Sequence, residues 1–431
     1  MIHGDTAIVV DPQRDIDRVT ELVGEHHARI THVLETHLHN DYVTSGLELA
    51  RATGAVYVVP AGEDVGYPAC RVSDGDVIDA GGYELRVIHT PGHTREHVSY
   101  ALEDGSGRIV GAFTGGSMLF DSTGRTDLLG DDHTHALTVD QYKSVRRLAA
   151  KLPAEAEVYP THGFGSFCSA TAVGRDSSTV GEQRQVNPAL TQDEATFVNE
   201  LLANLSAYPA YYAHMGVINR DGPAPVDLSE PAAVDPAELR RRIEAGEWVV
   251  DLRNRTAFAA GHLSGSIGFE LSDSFVTYLG WLYAWGAPLT LIGEDSAQIA
   301  AAKRELVRIG VDHVRGAASG AIDKLAGALP LRSYRVADFA TLAAEIDRDT
   351  VTILDVRRDD EFQESHLPKA VNIPVHELSG RLNELPAGEV WVHCASGYRA
   401  SVAASILDSR DRVAVLVDDV FTTAEKLGLT R

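Results

Sequence analysis

The sequence is poor in cysteine and contains no long apolar run. Only three cysteines, Cys70, Cys168 and Cys394, occur among 431 residues. Their wide spacing argues against a disulfide framework, so we expect a reducing, cytoplasmic setting. One thiol is then available for chemistry, and the other two are expected to be small buried side chains. No stretch approaches the roughly 20 apolar residues that cross a bilayer, so we expect no membrane span.

Positive charge is also scarce. Lysine and arginine number 38 against 62 aspartates and glutamates, which gives a formal net charge of -24 and a pI near 5.1. An acidic surface repels nucleic acid and anionic membranes, so neither is expected as a partner. The hydrophobic content of 44% is typical of a soluble globular protein, and the length suggests about three domains.

The first part of the chain alternates short apolar runs with turn signals and helix-like stretches. This pattern predicts an α/β domain over residues 1–220. Asp131-Asp132-His133 is predicted to be a solvated turn, and the few residues before Ala7 suggest an exposed sheet edge. The predicted strands are 7–10, 30–34, 55–59, 85–89, 109–113 and 158–160, and the predicted helices are 16–25, 45–53, 139–152 and 192–205.

A stretch rich in proline and glycine, residues 221–233, is predicted to be a linker. Two segments that resemble each other follow it. Val249 to Arg253 is followed by Phe258 and His262, and Ile353 to Arg357 is followed by Phe362 and His366. An internal duplication into α/β blocks 234–330 and 331–431 is therefore expected.

Cys394 lies between a predicted strand, Val390 to His393, and a helix that begins near Ala400. Backbone N–H groups and a helix N-terminus point at such a position, which favours a thiolate and later an anionic persulfide. Gly397 can take positive φ in the turn. Arg399 adds a positive charge to this loop, whose residues are Cys394, Ala395, Ser396, Gly397, Tyr398 and Arg399.

The last block resembles the rhodanese family. The resemblance rests on Leu354 to Arg357, Glu361-Phe362, His366-Leu367, Ala370 to Pro374 and the six-residue loop. It implies that Cys394 is a nucleophile that accepts a sulfane sulfur and passes it on. Arg399 is expected to act in catalysis, and Asp355, Arg357 and the loop residues are expected at the substrate site. The block 234–330 resembles a second rhodanese unit, but it has no cysteine, and a structural or docking role is expected for it.

Twelve of the 18 histidines lie at or before His162. His37-Leu38-His39-Asn40-Asp41 follows one predicted strand, and the turns Thr90 to Thr94 and Thr161 to Gly163 follow two others. Each turn presents a histidine at a strand end, where side chains converge. Imidazoles with a carboxylate suit zinc or ferrous iron.

This part of the chain resembles the metallo-β-lactamase superfamily, in its glyoxalase II and persulfide dioxygenase branch. The resemblance implies an αββα sandwich followed by the two rhodanese-like α/β domains. Two expected ligands are replaced, a histidine by Tyr42 and an aspartate by Gly116. His37, His39 and His93 remain for one divalent metal, Fe(II) or Zn(II). Asp41 and His162 are then weak ligands, a general base or supporting groups, and Tyr42 is expected to hydrogen bond a bound anion or dioxygen.

Three hypotheses for the N-terminal domain stay open at this point. The first is a persulfide dioxygenase-like site that works with sulfur transfer at Cys394. The second is a zinc-dependent thioester hydrolase of the glyoxalase II type fused to a sulfurtransferase. The third is a metal-free binding or scaffold domain beside an active rhodanese. All three imply a low-molecular-weight thiol or persulfide as partner, and glyoxalase-like relatives suggest a homo-oligomer.

Overall fold

The computed structural model describes residues 1–161, 176–327, 329–346, 348 and 351–431. Two compact units divide the chain. The N-terminal unit comprises Met1–Val226 with Val307–Gly310, and the C-terminal unit comprises Asp227–Leu306 and Val311–Arg431. The finer predicted boundaries, at 221–233 and near 330, stay predictions. In the described ranges, none of the helices has the length and apolar character needed to span a bilayer.

Two five-stranded sheets form the N-terminal unit. The first has the order β1-β2-β3-β4-β5, parallel apart from the β1–β2 pair. The second has the order β12-β9-β8-β7-β6, antiparallel apart from the parallel β12–β9 pair. A ribbon of β10 and β11 lies beside them. The strands are Ile2–His3 (β1), Thr6–Val10 (β2), Arg29–Leu34 (β3), Val56–Pro60 (β4), Cys70–Val72 (β5), Val77–Asp79 (β6), Tyr83–His89 (β7), Val98–Asp104 (β8), Ile109–Gly115 (β9), Met118–Leu119 (β10), Ser122–Thr123 (β11) and Glu157–Pro160 (β12).

The two sheets pack face to face. Ile8 and Leu34 of the first sheet share one apolar cluster with Leu85 and Tyr100 of the second. Separate clusters join each outer face to helices, so the layers are αββα, as predicted. The helices are Ile16–Glu25 (α1), Gly46–Thr53 (α2), Asp131–Lys151 (α3), Val180–Val186 (α4), Pro188–Thr191 (α5), Glu194–Ala203 (α6) and Tyr212–Asp221 (α7).

Three local expectations for this unit were wrong. Asp131 and Asp132 form the first turn of α3 rather than a solvated turn, and their charges favour a helix N-terminus. The sheet edge before Ala7 is paired with a short strand, β1. Cys70 is exposed rather than buried, because it begins β5, the edge strand of its sheet.

The C-terminal unit contains two lobes, each with a parallel sheet. The first lobe is built on a sheet with the strand order β15-β13-β16-β17. A short antiparallel pair joins β14 to β18. Its elements are Pro236–Glu244 (α8), Trp248–Asp251 (β13), Arg255–Ala260 (α9), His262–Leu263 (β14), Ile267–Gly268 (β15), Phe275–Leu282 (α10), Leu289–Gly293 (β16), Ser296–Arg308 (α11), Val314–Ser319 (β17) and Ile322–Ala326 (α12), followed by Leu331–Arg332 (β18).

The second lobe is built on a sheet with the strand order β19-β23-β22-β20-β21. All of its strand pairs are parallel. Its elements are Arg335–Ala337 (β19), Phe339–Glu345 (α13), Val351–Asp355 (β20), Asp359–Glu364 (α14), Val371–Asn372 (β21), Leu378–Arg381 (α15), a 3₁₀ turn at Leu382–Glu384, Glu389–His393 (β22), Tyr398–Ser409 (α16), Val413–Val417 (β23) and Phe421–Lys426 (α17).

The two lobes repeat the same side-chain contacts. In the first, Arg253 Nη2 donates to Asp251 at 2.7 Å and to the Gly261 carbonyl at 2.8 Å. In the second, Arg357 Nη2 donates to Asp355 at 2.7 Å and to the Ser365 carbonyl at 2.6 Å. A histidine one turn after a phenylalanine stacks on it in both, at 4.0 Å for Phe258–His262 and 4.2 Å for Phe362–His366. These matched contacts agree with an internal duplication.

Candidate functional site

Three buried histidines of the N-terminal unit lie at the carboxyl ends of strands. His37 and His39 follow β3, and His93 follows β7. All three are at most 1% exposed. The ring centroid of His37 is 4.2 Å from that of His39 and 4.8 Å from that of His93. The structure therefore brings together the three imidazoles that the sequence marked as ligands.

The Nδ1 atoms of His37 and His93 are both held by the protein. Thr36 Oγ1 donates to Asp11 at 2.7 Å, so it accepts the Nδ1–H of His37 at 2.8 Å. His93 Nδ1 donates to the Arg125 carbonyl at 2.7 Å. Hydrogen bonds of this kind fix the tautomer and make the other ring nitrogen, Nε2, the ligand atom. Arg125 is itself fixed by a two-point pair with Asp127, at 2.7 Å for both contacts.

His39 has the opposite orientation. Its Nε2 lies 3.1 Å from Glu35 Oε2 and 3.2 Å from Asp11 Oδ1, so Nδ1 is the atom that remains for a metal. Burial lowers the pKa of His39, but the two carboxylates outweigh it and raise that pKa to about 10. Metal binding at Nδ1 therefore has to displace a proton.

Asp11 also lies within 4.8 Å of possible ligand atoms on His37 and His39. Its carboxylate, however, already accepts the Thr36 N–H at 2.7 Å and bonds from the Thr36 hydroxyl, His39 and the Thr161 hydroxyl. Burial alone would raise the pKa of Asp11, yet His39 and these hydrogen bonds lower it to about 2. We therefore place Asp11 behind the imidazoles, where it orients them, rather than on the metal.

Gly116 lies where the resemblance led us to expect an aspartate, and a side chain there would be crowded. A Cβ at this position would lie 2.3 Å from His93 Cδ2, which is far inside van der Waals contact. The Gly116 N–H donates to His97 Nε2 at 2.9 Å. The groups described around this position are therefore the three imidazoles and the carboxylate of Asp11, which offers a ligand atom within 4.8 Å of those of His37 and His39.

His97 was missed by the sequence reasoning. It is fully buried, its Nδ1 lies 2.8 Å from Thr90 Oγ1, and its ring stacks on His37 at 5.0 Å. With Nε2 accepting from Gly116, its Nδ1 donates to Thr90, so both nitrogens are used in supporting the site. The signal available in the sequence was its spacing of four residues from His93 within one turn.

The Tyr42 hydroxyl does not make the hydrogen bond that was expected of it. Its hydroxyl donates to the Asp11 carbonyl at 3.0 Å and lies 3.1 Å from His39 Nε2. The expectation that it donates to a bound anion or dioxygen is corrected, because its one proton is directed to a backbone carbonyl. Asp41 is buried in the same loop, at 9% exposure. His162 and Cys168 lie outside the described residues.

The sulfur site lies in the second lobe, between β22 and α16. Cys394 is 1% exposed, and the Ala400 N–H lies 3.4 Å from its Sγ. Gly397 takes φ 87° immediately before α16 begins at Tyr398. This is the strand-loop-helix arrangement that the sequence predicts, with a backbone donor directed at the sulfur.

Arg399 does not contribute a free positive charge. Its Nη1 and Nη2 lie 2.5 Å and 2.7 Å from the two oxygens of Glu361. Burial opposes the charged form of Arg399, but this pair raises its pKa. The positive charge that the sequence places in the loop is present, but the Glu361 carboxylate neutralises it.

Asp355 and Arg357 form a buried ion pair at the end of β20. Both are nearly fully buried and paired with each other, and the Arg357 guanidinium lies 3.6 Å from the Phe421 ring centroid. The first lobe keeps the same pair, Asp251 and Arg253, although its loop after β16 has no cysteine. The pair is thus present in both lobes, and the substrate role expected for Asp355 and Arg357 stays a prediction. Ala395, Ser396 and Tyr398 lie in the loop as predicted from the sequence.

The αββα layers and the buried histidine cluster are those of a metallo-β-lactamase-type fold, and the same chain carries a rhodanese-type strand-loop-helix around Cys394. The metallo-beta-lactamase superfamily model matches residues 1–162, and the rhodanese-like domain model matches residues 338–420. The chain belongs to the metallo-β-lactamase superfamily and carries a rhodanese-like domain.

Relatives of different activities resemble this chain. The probable polyketide biosynthesis zinc-dependent hydrolase BaeB of Bacillus velezensis is 33% identical over 165 residues, covering 37% of this chain and 68% of the relative. Human mitochondrial persulfide dioxygenase ETHE1 is 30% identical over 232 residues, covering 52% and 77%. The crystal structure of a metallo-beta-lactamase from Staphylococcus aureus subsp. aureus COL is similar with a TM-score of 0.66 and 29% identity, over 74% of this chain and 93% of that one. These relatives support roles in sulfur metabolism or hydrolysis.

Proposed function

We propose that this protein is a persulfide-handling enzyme that transfers sulfane sulfur through Cys394. The observation that carries the proposal is the Ala400 N–H directed at the buried Cys394 Sγ, at the start of a twelve-residue helix. Such a position favours anionic sulfur on the thiol and on the persulfide that it forms.

The transfer is a pair of displacements in which sulfur changes partner and no net redox change occurs. The Cys394 thiolate attacks the outer sulfur of R–S–S–H, the S–S bond breaks, and R–S⁻ leaves with the electron pair. Cys394 then carries the sulfane sulfur as a persulfide. An acceptor thiolate attacks that sulfur, the bond to Cys394 Sγ breaks, and the Cys394 thiolate is restored.

In the N-terminal unit, His37, His39 and His93 would hold one divalent metal, which when bound supplies Lewis-acid activation of a substrate or water. The protein's own contribution is orientation. Thr36 and the Arg125 carbonyl hold the tautomers of His37 and His93, and Asp11 and Glu35 hold His39. We propose that this site acts on the same class of thiol persulfides.

A zinc-dependent thioester hydrolase is the second candidate for this unit. It is favoured by the crowding at Gly116, where the three imidazoles stand without the carboxylate that would complete a two-histidine iron site. Metal analysis with assays of oxygen uptake and thioester cleavage separates the two. Iron with oxygen uptake on a persulfide supports the first candidate, and zinc with thioester cleavage supports the second.

Cys394→Ser tests the sulfur transfer itself. The full-length variant should lose at least about a hundredfold in sulfurtransferase turnover, because removing a nucleophile abolishes the covalent route. Cys70→Ser is the matched control, since Cys70 is exposed on an edge strand and is expected to leave turnover unchanged. Full activity in Cys394→Ser would refute the proposal.

A further inference from the structure

The first lobe lacks a cysteine, yet its residues contact the Cys394 loop of the second lobe. Arg255 of α9 donates through Nε to Asp418 at 2.7 Å and through Nη1 to Glu270 at 2.8 Å. Its Nη2 lies 3.5 Å from the carbonyl oxygen of Ser396, inside the loop. The Tyr398 hydroxyl donates to the Glu270 carbonyl at 3.1 Å. Two loop residues are thus fastened to the first lobe.

Helix α10 adds an aromatic surface at the same place. Tyr278 lies 5.7 Å from Tyr398 between ring centroids and stacks parallel to Trp281 at 6.0 Å. Trp281 in turn stacks on His376 of the second lobe at 4.7 Å. Burial raises the pKa of Tyr278, the Arg399 charge opposes this rise, and Cys394 adds to it, so the phenol lies among the charged groups of the sulfur site.

Helix α10 and its counterpart in the second lobe carry different side chains. In the second lobe the segment after β21 is α15, which continues directly into the 3₁₀ turn at Leu382–Glu384. In the first lobe it is the eight-residue helix α10, whose Tyr278 contacts Tyr398 of the second lobe. The lobe without a nucleophile therefore contributes an aromatic ring beside the loop of the lobe that has one.

The charges around the loop do not favour a small dianion. Arg399 is paired with Glu361, Arg358 with Asp360 at 2.9 Å, and Arg255 with both Glu270 and Asp418. In these pairs, three arginines are therefore matched by four carboxylates. Thiosulfate carries two negative charges and an organic persulfide at most one on its sulfur, so this balance disfavours thiosulfate.

We propose that Tyr278 of the first lobe is a specificity-determining residue of the Cys394 site, and that it selects a persulfide with an organic body over thiosulfate. The inference rests on the proposed sulfur transfer at Cys394. The organic body packs against the Tyr278 ring, where aromatic surface is well suited to apolar groups. Thiosulfate has no organic body and gains no such contact with the Tyr278 ring.

The test compares two sulfur donors with cyanide as the common acceptor, using full-length protein. The donors are thiosulfate and the persulfide of 2-mercaptoethanol, whose organic body is uncharged. For the wild type, kcat/KM should be at least about tenfold higher for the persulfide than for thiosulfate. Tyr278→Ala should lower kcat/KM for the persulfide roughly tenfold and leave that for thiosulfate within about twofold.

Thr277→Ala on the same helix is the matched control, and thermal unfolding checks that every variant folds. Tyr278→Phe should retain most of the preference for the organic persulfide, because the ring and not the hydroxyl contacts the organic body. Three outcomes overturn the inference alone. They are an equal fall in kcat/KM for both donors in Tyr278→Ala, an unchanged donor preference in that variant, and a wild-type preference for thiosulfate. No turnover of the wild type with either donor overturns the sulfur-transfer proposal and the inference with it.

Discussion

Arg399 and Glu361 form a two-point ion pair beside the Cys394 loop, with nitrogen–oxygen distances of 2.5 Å and 2.7 Å. The pair fixes the first turn of α16 to α14, which begins at Asp359. It also cancels the one positive charge that the loop sequence contains. The loop is therefore held in place by an arginine that does not attract anions.

Glu361→Gln removes the carboxylate charge that cancels the charge of Arg399. The substitution leaves the Arg399 charge unbalanced and is expected to lower the free energy of unfolding by about 2 kcal/mol. It should also raise kcat/KM for thiosulfate severalfold, while kcat/KM for an organic persulfide does not rise. Chemical denaturation and donor kinetics measure both effects. A fall in thiosulfate activity with a folded protein would contradict the assigned role.

Gly397→Ala should disable the sulfur site while leaving the rest of the chain folded. Gly397 takes φ 87°, and a Cβ there would lie 2.1 Å from Asp418 Oδ1. Alanine disfavours this backbone region and cannot fit beside Asp418, so the loop must move. We expect a loss of sulfurtransferase activity of about tenfold or more. Gly380→Ala is the control, since no atom lies within 4 Å of its Cβ position; equal losses in both variants would argue against the loop geometry.

Thr36→Val tests the series of hydrogen bonds that runs from Asp11 through the Thr36 hydroxyl to His37 Nδ1. Valine keeps the shape and removes the hydroxyl, so the tautomer of His37 is no longer fixed. Metal affinity is expected to fall about 10- to 100-fold. Competition with a chelator measures it. Thr36→Ser keeps the hydroxyl and should bind metal as the wild type does, and unchanged affinity in Thr36→Val would exclude the orienting role.

Gly116→Asp should fail to rebuild a carboxylate ligand. The added Cβ would lie 2.3 Å from His93 Cδ2, so the ring of a proposed ligand must be displaced. We expect weaker metal binding and a stability loss of about 1–3 kcal/mol. Gly24→Asp, where nothing lies within 4 Å of the Cβ position, controls for the added charge. A Gly116→Asp variant that binds metal more tightly would show that the pocket adapts.

Local patterns in the sequence predicted much of the fold. The helix at 16–25 has the predicted bounds, because its apolar spacing and flanking turns are all local. Strand β8, Val98–Asp104, was missed, since six of its seven residues are buried and the alternation that marks a half-buried strand is absent. Helix α3 begins eight residues before the predicted Val139, because its first turns are polar.

The contacts that decide the chemistry are non-local. His97 accepts a hydrogen bond from the Gly116 N–H beside the histidine cluster, and the Tyr42 hydroxyl donates to the carbonyl of Asp11, which lies at another strand end. The approach of Tyr278 to Tyr398 links residues 120 positions apart. Spacing within one motif carries no information about such pairs, and only the packed structure reveals them.

The most direct test of the account is whether Cys394 itself carries the transferred sulfur. Full-length protein is treated with an organic persulfide, freed of excess donor and blocked with an alkylating reagent. It is then digested, and the masses of its peptides are measured by mass spectrometry. The account predicts one additional sulfur atom on the Cys394 peptide, its loss after addition of an acceptor thiol, and none on the matching peptide of Cys394→Ser. An unmodified Cys394 in a protein that still transfers sulfur would contradict it.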